Sequence, residues 1–193
     1  LVTAKARQAK DKGTILTTTR FGNVLGSSGS VLSVFSKQLH QGKNLTVTHK
    51  EMTRFVMTVD QAVDLVIDSS TIAHGGEVFV TKMPVMRIED IARAMIQHYA
   101  ENDQFVKETI EYIGSKPGEK LYEELMTSEE TRRTIETDKY FVVTPALFDE
   151  SELKLMTYPN TQRLNINNEY ISSTEPALSL DEVRTFLIKA NLI

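Results

Sequence analysis

Apolar residues recur at helical spacing in several segments of the chain, and short β-branched runs lie between them. The spacing predicts helices through Lys10, from Val31 to near Gly42, and at 58–67, 88–99, 120–126 and 179–190. In the second of these, Val31, Val34, Phe35 and Leu39 mark the apolar face. Strands are predicted at 14–19, 45–48, 78–80, 109–113 and 140–143. This alternation is typical of an α/β fold with parallel strands.

Two further patterns concern helix ends and surface chain. Capping-box spacing occurs at 58–61, 127–130 and 179–182. The acidic pairs at 123–124 and 129–130 could serve general acid/base chemistry, but the overlap with a capping box favours a structural role. The polar, Asn-rich stretch 145–176 predicts a long surface excursion.

Composition narrows the class of protein. The 193 residues are 40% hydrophobic and 25% charged, the balance of a folded globular chain. No apolar run reaches the roughly 20 residues that a membrane-spanning helix needs. The net charge of −4 argues against nucleic acid as a partner. Without cysteine, the chain has no disulfide, thiolate zinc site or cysteine nucleophile.

The most conspicuous candidate for chemistry is a glycine- and serine-rich loop at 20–30. It runs from a predicted strand into a predicted helix, a layout that directs backbone N–H groups at a phosphate. It contains neither a Gly-Lys-Ser/Thr closure nor G-x-G-x-x-G, so it is not a nucleotide-binding fingerprint by itself. Phosphate contact and a plain strand-to-helix turn both remain open.

Charged residues at two other places are also candidates. Arg54 lies in the apolar segment 52–57, where its guanidinium could bind a phosphate or form a structural ion pair. Lys116 and Glu119 share a tight Pro-Gly turn, which favours a solvated turn over a site. The four histidines are scattered without metal-ligand spacing, so no metal site is predicted.

Several of these segments occur together in a familiar order. They are RFGNVLGSSGSV at 20–31, LTVTH at 45–49, MTRF at 52–55 and KPGEKLYEE at 116–124, followed by YISS at 170–173 and LDEVR at 180–184. In them the chain resembles the CapD-like polysaccharide-biosynthesis proteins. These are extended short-chain dehydrogenase/reductases that act as UDP-N-acetylglucosamine 4,6-dehydratases. The resemblance covers nearly all of this chain but only the second half of the family's protein.

The resemblance implies a fold and a division into domains. The fold would be the C-terminal part of a Rossmann-like doubly wound parallel sheet plus a small α/β substrate-binding lobe. Sheet elements are expected at about 1–44 and 56–82, and the lobe with its C-terminal extension at about 45–55 and 83–193. The chain begins at Leu1 within a predicted helix, so we expect the dinucleotide-binding half and the catalytic residues upstream of Leu1.

The same resemblance implies substrate-binding residues. Asn23 would contact the sugar or its phosphate, Val47 would offer backbone hydrogen bonds to uracil, and Arg54 would hold the diphosphate. Relatives carry Arg-Pro-Gly-Glu where this sequence has Lys116-Pro-Gly-Glu119. Lys116 would therefore keep the charge for the diphosphate without the bidentate fork, while Glu119 would bind the ribose hydroxyls.

Cofactor, reaction and partners are also implied. Phe21 would approach the nicotinamide of an NAD(P) bound mostly outside this chain. In the family, hydride leaves sugar C4 for the cofactor, water is lost across C5 and C6, and hydride returns to C6. Segment 20–31 resembles the branch that retains C5, whereas 80–84 and 132–138 resemble inverting and epimerase-linked relatives. The chain alone is expected to bind part of a UDP-N-acetylhexosamine without turnover.

Two alternatives to a dehydratase remain open. They are a UDP-sugar epimerase or reductase of the same superfamily, and a non-catalytic UDP-sugar-binding module. A cytoplasmic location is expected. A homo-oligomer is expected as well. The chain by itself is expected to self-associate, because without the upstream half the strand at 14–19 would have an exposed edge and an uncovered apolar face.

Overall fold

The computed structural model describes residues 2–102, 109–115 and 117–193. Its helices are α1 Val2–Lys10, α2 Val31–His40, α3 Val59–Ile72, α4 Ile88–Asn102, α5 Ser128–Thr131, α6 Glu150–Lys154 and α7 Leu180–Lys189. Its strands are β1 Thr18–Arg20, β2 Asn23–Val24, β3 Leu45–Val47, β4 Thr53–Met57, β5 Val78–Thr81, β6 Val85–Arg87, β7 Ile110–Tyr112, β8 Glu124–Met126, β9 Thr134–Thr137, β10 Tyr140–Val143, β11 Thr161–Leu164 and β12 Tyr170–Ile171.

The chain divides into two compact units. The first comprises Leu1–Phe21, Asp60–Lys82 and Glu124–Tyr170, and the second comprises Gly22–Val59, Met83–Glu123 and Ile171–Ile193. These boundaries differ from the predicted ones, which assigned 22–44 to the sheet and 124–170 to the lobe. Which unit holds substrate stays a prediction.

The first unit is built on a five-stranded sheet in the order β1-β5-β10-β9-β11. β1 pairs with β5 in parallel, with Thr18 opposite Val78, and β1 lies at the end of this order. The other pairs are antiparallel. Only two residues connect β9 to β10, and such a short link makes these two strands a hairpin. Phe79 is fully buried in this unit and packs edge-to-face on Tyr140 and Tyr158, at 6.2 and 5.9 Å between ring centroids.

An ion pair with a buried carboxylate lies in the first unit. The Arg20 guanidinium donates to both carboxylate oxygens of Glu130, at 2.6 and 2.8 Å, and to the Leu125 carbonyl at 2.7 Å. Glu130 also accepts from the Thr127 N–H at 3.0 Å and completes the predicted capping box of α5. Burial of the Glu130 carboxylate raises its pKa, but the hydrogen bonds from Arg20 and Thr127 outweigh burial and lower the pKa from 4.5 to about 2.

The first unit also buries a carboxylate that the sequence pattern does not indicate. Glu77 is fully buried and accepts hydrogen bonds from the backbone N–H groups of His74 and Gly75, and from the Tyr158 hydroxyl at 3.4 Å. Burial, reinforced by the nearby Glu77 carboxylate, raises the pKa of Tyr158. The partners satisfy the carboxylate within the fold, which indicates a structural role for Glu77.

The second unit combines two small sheets with three helices. β2 pairs in parallel with β4, which pairs antiparallel with β6, and β3 pairs in parallel with β7. α2, α4 and α7 supply most of the apolar core around these strands; its buried members include Leu32, Phe35, Leu39, Val47, Ile91, Met95, Val183 and Leu187. Val34, which the apolar spacing placed on the buried face of α2, is 44% exposed instead.

The predicted α/β class is confirmed, with corrections to individual elements. The helix predicted at 120–126 is wrong: Glu124–Met126 is a strand that pairs with β12, because pairing and burial of Leu125 and Met126 override helical spacing. Strands β4, β6 and β9 were not predicted. The stretch 145–176 is not a structureless excursion, because it contains α6, β11 and β12, although β11 is exposed.

Candidate functional site

The second unit contains a pocket of about 390 Å³ beside the N-terminus of α2. We call it the α2 pocket. Its walls come from the glycine/serine loop, β2, β3, β4 and the start of α4. The lining residues are Asn23, Val24, Leu25, Ser27, Ser28, Gly29, Ser30, Val31, Thr46, Thr48, Met52, Arg54, Val56, Ile88, Ile91 and Glu119. The pocket therefore brings together three predicted substrate-binding residues, Asn23, Arg54 and Glu119.

The positive end of α2 meets this pocket. Ser30 is the N-cap residue, with the extended backbone that a cap requires, but its side chain makes no capping hydrogen bond. The Ser30 Oγ is buried and has no hydrogen-bond partner among the described residues. A buried hydroxyl beside a helix N-terminus is suited to an anionic ligand, because both can donate hydrogen bonds to it.

Glycine shapes the loop that enters the pocket. A Cβ at Gly22 would lie 2.8 Å from the Phe55 carbonyl oxygen and 2.7 Å from Met83 Sδ, so β2 can approach β4 this closely only with glycine. Gly29 has a φ of +78°, which a side chain would strain. The loop conformation beside α2 therefore depends on glycine at both positions.

Arg54 lies on β4 with its side chain 14% exposed. One nitrogen of its guanidinium donates to the Thr53 carbonyl at 2.7 Å, a second donates to the Lys120 carbonyl at 2.8 Å, and Nε lies 3.8 Å from Glu123 Oε1. The structural ion pair considered from the sequence is therefore present. Each terminal nitrogen carries two hydrogens, so these contacts leave one on each for a ligand in the pocket.

Asn23 is oriented by the same carboxylate. Its Nδ2 donates to Glu123 Oε1 at 2.7 Å and to the Phe55 carbonyl at 3.4 Å. Both amide hydrogens are directed at protein acceptors, so Oδ1 is the atom left to accept from a ligand hydroxyl. The sequence analysis considered Glu123 only as half of an acidic pair. In the structure its carboxylate accepts hydrogen bonds from Asn23 and from the Phe55 N–H.

The remaining predicted substrate-binding residues lie in different situations. Glu119 lines the pocket, and its carboxylate accepts from the Thr48 hydroxyl at 3.5 Å. Val47 is fully buried, and its carbonyl accepts from the Ile113 N–H at 3.0 Å, so its neighbours Thr46 and Thr48 line the pocket instead. Lys116 lies outside the described residues. The roles assigned to all three stay predictions.

The described residues form neither a complete dinucleotide site nor a metal cluster. Phe21 directly follows β1 in the first unit and is 41% exposed. One exposed aromatic ring does not make a dinucleotide site, and the sequence contains no G-x-G-x-x-G, so these residues do not by themselves fit NAD(P). Across 2–102, 109–115 and 117–193 no group of three or more His, Asp or Glu could hold a metal ion.

Ser30, Thr48 and Glu123 are site residues that the sequence analysis did not assign to substrate binding. Ser30 stands before the first apolar residue of α2, which is an N-cap signal, but its missing capping bond is visible only in the fold. Thr48 and Glu123 reach the site through pairings between distant segments. Local patterns do not show these contacts between distant segments.

The fold and the α2 pocket define an α/β protein in which a cationic side chain and a helix N-terminus line one pocket. A family model described as "Polysaccharide biosynthesis protein" matches residues 1–145. The chain belongs to this family of polysaccharide biosynthesis proteins.

Individual relatives are similar over most of the chain. A protein of Methanocaldococcus jannaschii named as an uncharacterized membrane protein is 39% identical over 172 residues, covering 88% of this chain and 51% of its own length. A UDP-glucose 4-epimerase of Rickettsia massiliae is 34% identical over 195 residues, which cover 100% of this chain and 55% of the epimerase. The chain therefore spans about half the length of the curated relatives it matches.

A solved structure supports the fold. The crystal structure of Pen from Bacillus thuringiensis matches with a TM-score of 0.85 and 34% identity, over 100% of this chain and 55% of that one. This match confirms the predicted Rossmann-like fold class. Within the part of the chain that the structure describes, every helix is too short or too polar to cross a membrane.

Proposed function

We propose that the α2 pocket binds the nucleoside diphosphate part of a UDP-N-acetylhexosamine. One observation carries this proposal: Arg54 and Ser30, the N-cap residue of α2, line the same pocket, and the buried Ser30 hydroxyl has no hydrogen-bond partner within the described part of the chain. A diphosphate carries two negative charges, and each of these groups can donate a hydrogen bond to it. Glu119 and Asn23 would then accept from hydroxyl groups of the ribose and the sugar.

We further propose that the parent protein is an NAD(P)-dependent UDP-N-acetylglucosamine 4,6-dehydratase. The motif resemblance and membership of the polysaccharide biosynthesis family support this reading. The cofactor would supply hydride chemistry, bound mainly by residues outside this sequence. The part played by this chain is to hold the nucleotide and orient the sugar. A cytoplasmic location and a homo-oligomer stay predictions.

Substitution of Arg54 by alanine tests the binding proposal. Arg54→Ala is expected to weaken UDP-N-acetylglucosamine binding by about 1.5–3 kcal/mol, because a charged hydrogen bond to the diphosphate is lost. Calorimetric titration of purified protein measures this change, with circular dichroism as a check on folding. Arg87→Ala is the matched control, since Arg87 is exposed on the neighbouring strand β6 and pairs with Asp90. Unchanged affinity in a folded Arg54→Ala protein would refute the assignment.

A second candidate is a UDP-sugar 4-epimerase, favoured by the names of the Rickettsia relatives. Product analysis of the full-length enzyme separates the two activities. Dehydration is expected to yield a product lighter by one water, whereas epimerisation leaves the mass unchanged. A product of unchanged mass from UDP-N-acetylglucosamine would refute the dehydratase proposal and leave the binding proposal intact.

A further inference from the structure

Glu123 connects the two side chains that we place against the ligand. Its Oε1 accepts from Asn23 at 2.7 Å and lies 3.8 Å from Arg54 Nε. Its Oε2 accepts from the Phe55 N–H at 3.1 Å. One carboxylate therefore contacts β2 through Asn23, and β4 through both a side chain and the backbone.

The Glu123 carboxylate is itself held in place. The Glu123 N–H donates to Ser172 Oγ at 2.9 Å, and the Ser172 N–H donates back to the Glu123 carbonyl at 2.9 Å. The Ser172 hydroxyl, fully buried, also donates to the Thr53 carbonyl at 3.2 Å. Because Thr53 precedes Arg54 on β4, this second bridge fixes the backbone of Glu123 to the strand that carries the cation.

We propose that Glu123 is a positioning residue, which orients the Asn23 amide and the Arg54 guanidinium for the nucleotide sugar. The inference rests on the proposed function of the α2 pocket. Without Glu123, the amide of Asn23 loses its 2.7 Å partner and can rotate, which exchanges the acceptor Oδ1 for the donor Nδ2. Arg54 loses its counter-charge and keeps only the two carbonyl contacts.

The direction of the change in affinity distinguishes a positioning role of Glu123 from a purely electrostatic one. Removing a negative charge beside a site for a dianion should strengthen binding if Glu123 acts only through the electric field. Removing a positioning group should weaken binding, because Asn23 and Arg54 must then be ordered when the ligand binds. The two roles thus predict opposite changes in the dissociation constant.

The experiment is titration of purified protein with UDP-N-acetylglucosamine. Glu123→Ala is expected to weaken binding about tenfold. Glu123→Gln is expected to weaken it as well, because a glutamine amide has one acceptor oxygen, whereas the carboxylate uses two oxygens to accept from Asn23 and Phe55. The glutamine variant preserves size and keeps the test usable if the alanine variant does not fold. Glu124→Ala, at the exposed next residue, is the matched control and should bind within twofold of the unmodified protein.

A double-mutant cycle measures whether Glu123 acts through Asn23. In an Asn23→Ala background, the added Glu123→Ala substitution should weaken binding much less than it does alone. Fully additive losses, or tighter binding by Glu123→Gln, would overturn the positioning role while leaving the proposed function standing. Failure of the unmodified, folded protein to bind would instead overturn the proposed function together with this inference.

Discussion

Replacing Arg20 with methionine is expected to lower the free energy of unfolding by about 3 kcal/mol. The Glu130 side chain is 10% exposed, so the substitution leaves a nearly buried carboxylate without its bidentate partner. The Leu125 carbonyl loses a donor at the same time. Arg20 itself is 35% exposed, which places the expected loss at the lower end of the range for buried pairs. Urea unfolding followed by circular dichroism measures the change.

The matched control is an ion pair of the same length at the surface. Arg93 and Glu89 also meet at 2.6 Å, but their side chains are 52% and 17% exposed, against 35% and 10% for Arg20 and Glu130. Arg93→Met is therefore expected to change the free energy of unfolding by less than about 1 kcal/mol. Equal losses from the two substitutions would contradict the argument that burial of the Arg20–Glu130 pair, together with its contact to the Leu125 carbonyl, sets the size of the loss.

The loss of stability caused by Arg20→Met is also expected to depend on pH. Glu130 has a pKa of about 2 in the folded protein against 4.5 ordinarily, so its ionised form is favoured by folding. The stabilisation is present above pH 4.5 and is lost as the pH falls through the interval toward 2. The difference in free energy of unfolding between the unmodified protein and Arg20→Met should therefore become smaller as the pH falls through that interval. A difference in free energy of unfolding that stays constant from pH 7 to pH 3 would show that the Arg20–Glu130 ion pair is not the source of the stabilisation.

Local patterns predicted the helices of this fold better than its strands. The spacing of apolar residues located α2, α4 and α7, because one face of each helix is buried against neighbouring elements. It located α3 as well, although Leu65 is the one fully buried apolar residue of that helix. β4 was missed because its five residues are mostly buried and show no alternation. Residues 124–126 were assigned to a helix because spacing cannot register a strand that pairs with a segment far along the chain.

The candidate site shows the same division between local and distant information. Asn23, Arg54 and Glu119 were named from motifs, and the fold brings them to one pocket. Glu123 and Ser30 could not be ranked from sequence. The role of Glu123 depends on its distance to Asn23, and that of Ser30 on a hydroxyl that no other described residue contacts by a hydrogen bond. Both are properties of tertiary packing.

Truncation of Phe35 is expected to have a large effect on the stability of the second unit. Phe35 is fully buried between α2 and the core that includes Leu39, Val47 and Met95. Phe35→Ala should therefore lower the free energy of unfolding by about 3–5 kcal/mol, through lost apolar burial and the cavity left behind. Urea unfolding again measures the change, and UDP-N-acetylglucosamine titration below the transition reports whether the N-terminus of α2 still forms the pocket.

Val34 provides the control, because it is the adjacent residue on the same helix and 44% exposed. Val34→Ala removes apolar atoms from the surface of α2 and introduces a better helix former, so stability should change by less than about 0.5 kcal/mol. The apolar spacing alone assigned both residues to one buried face, which would make both substitutions costly. A large loss from Val34→Ala would therefore show that α2 is rotated relative to this packing, and it would also remove Val31 and Ser30 from the wall of the α2 pocket.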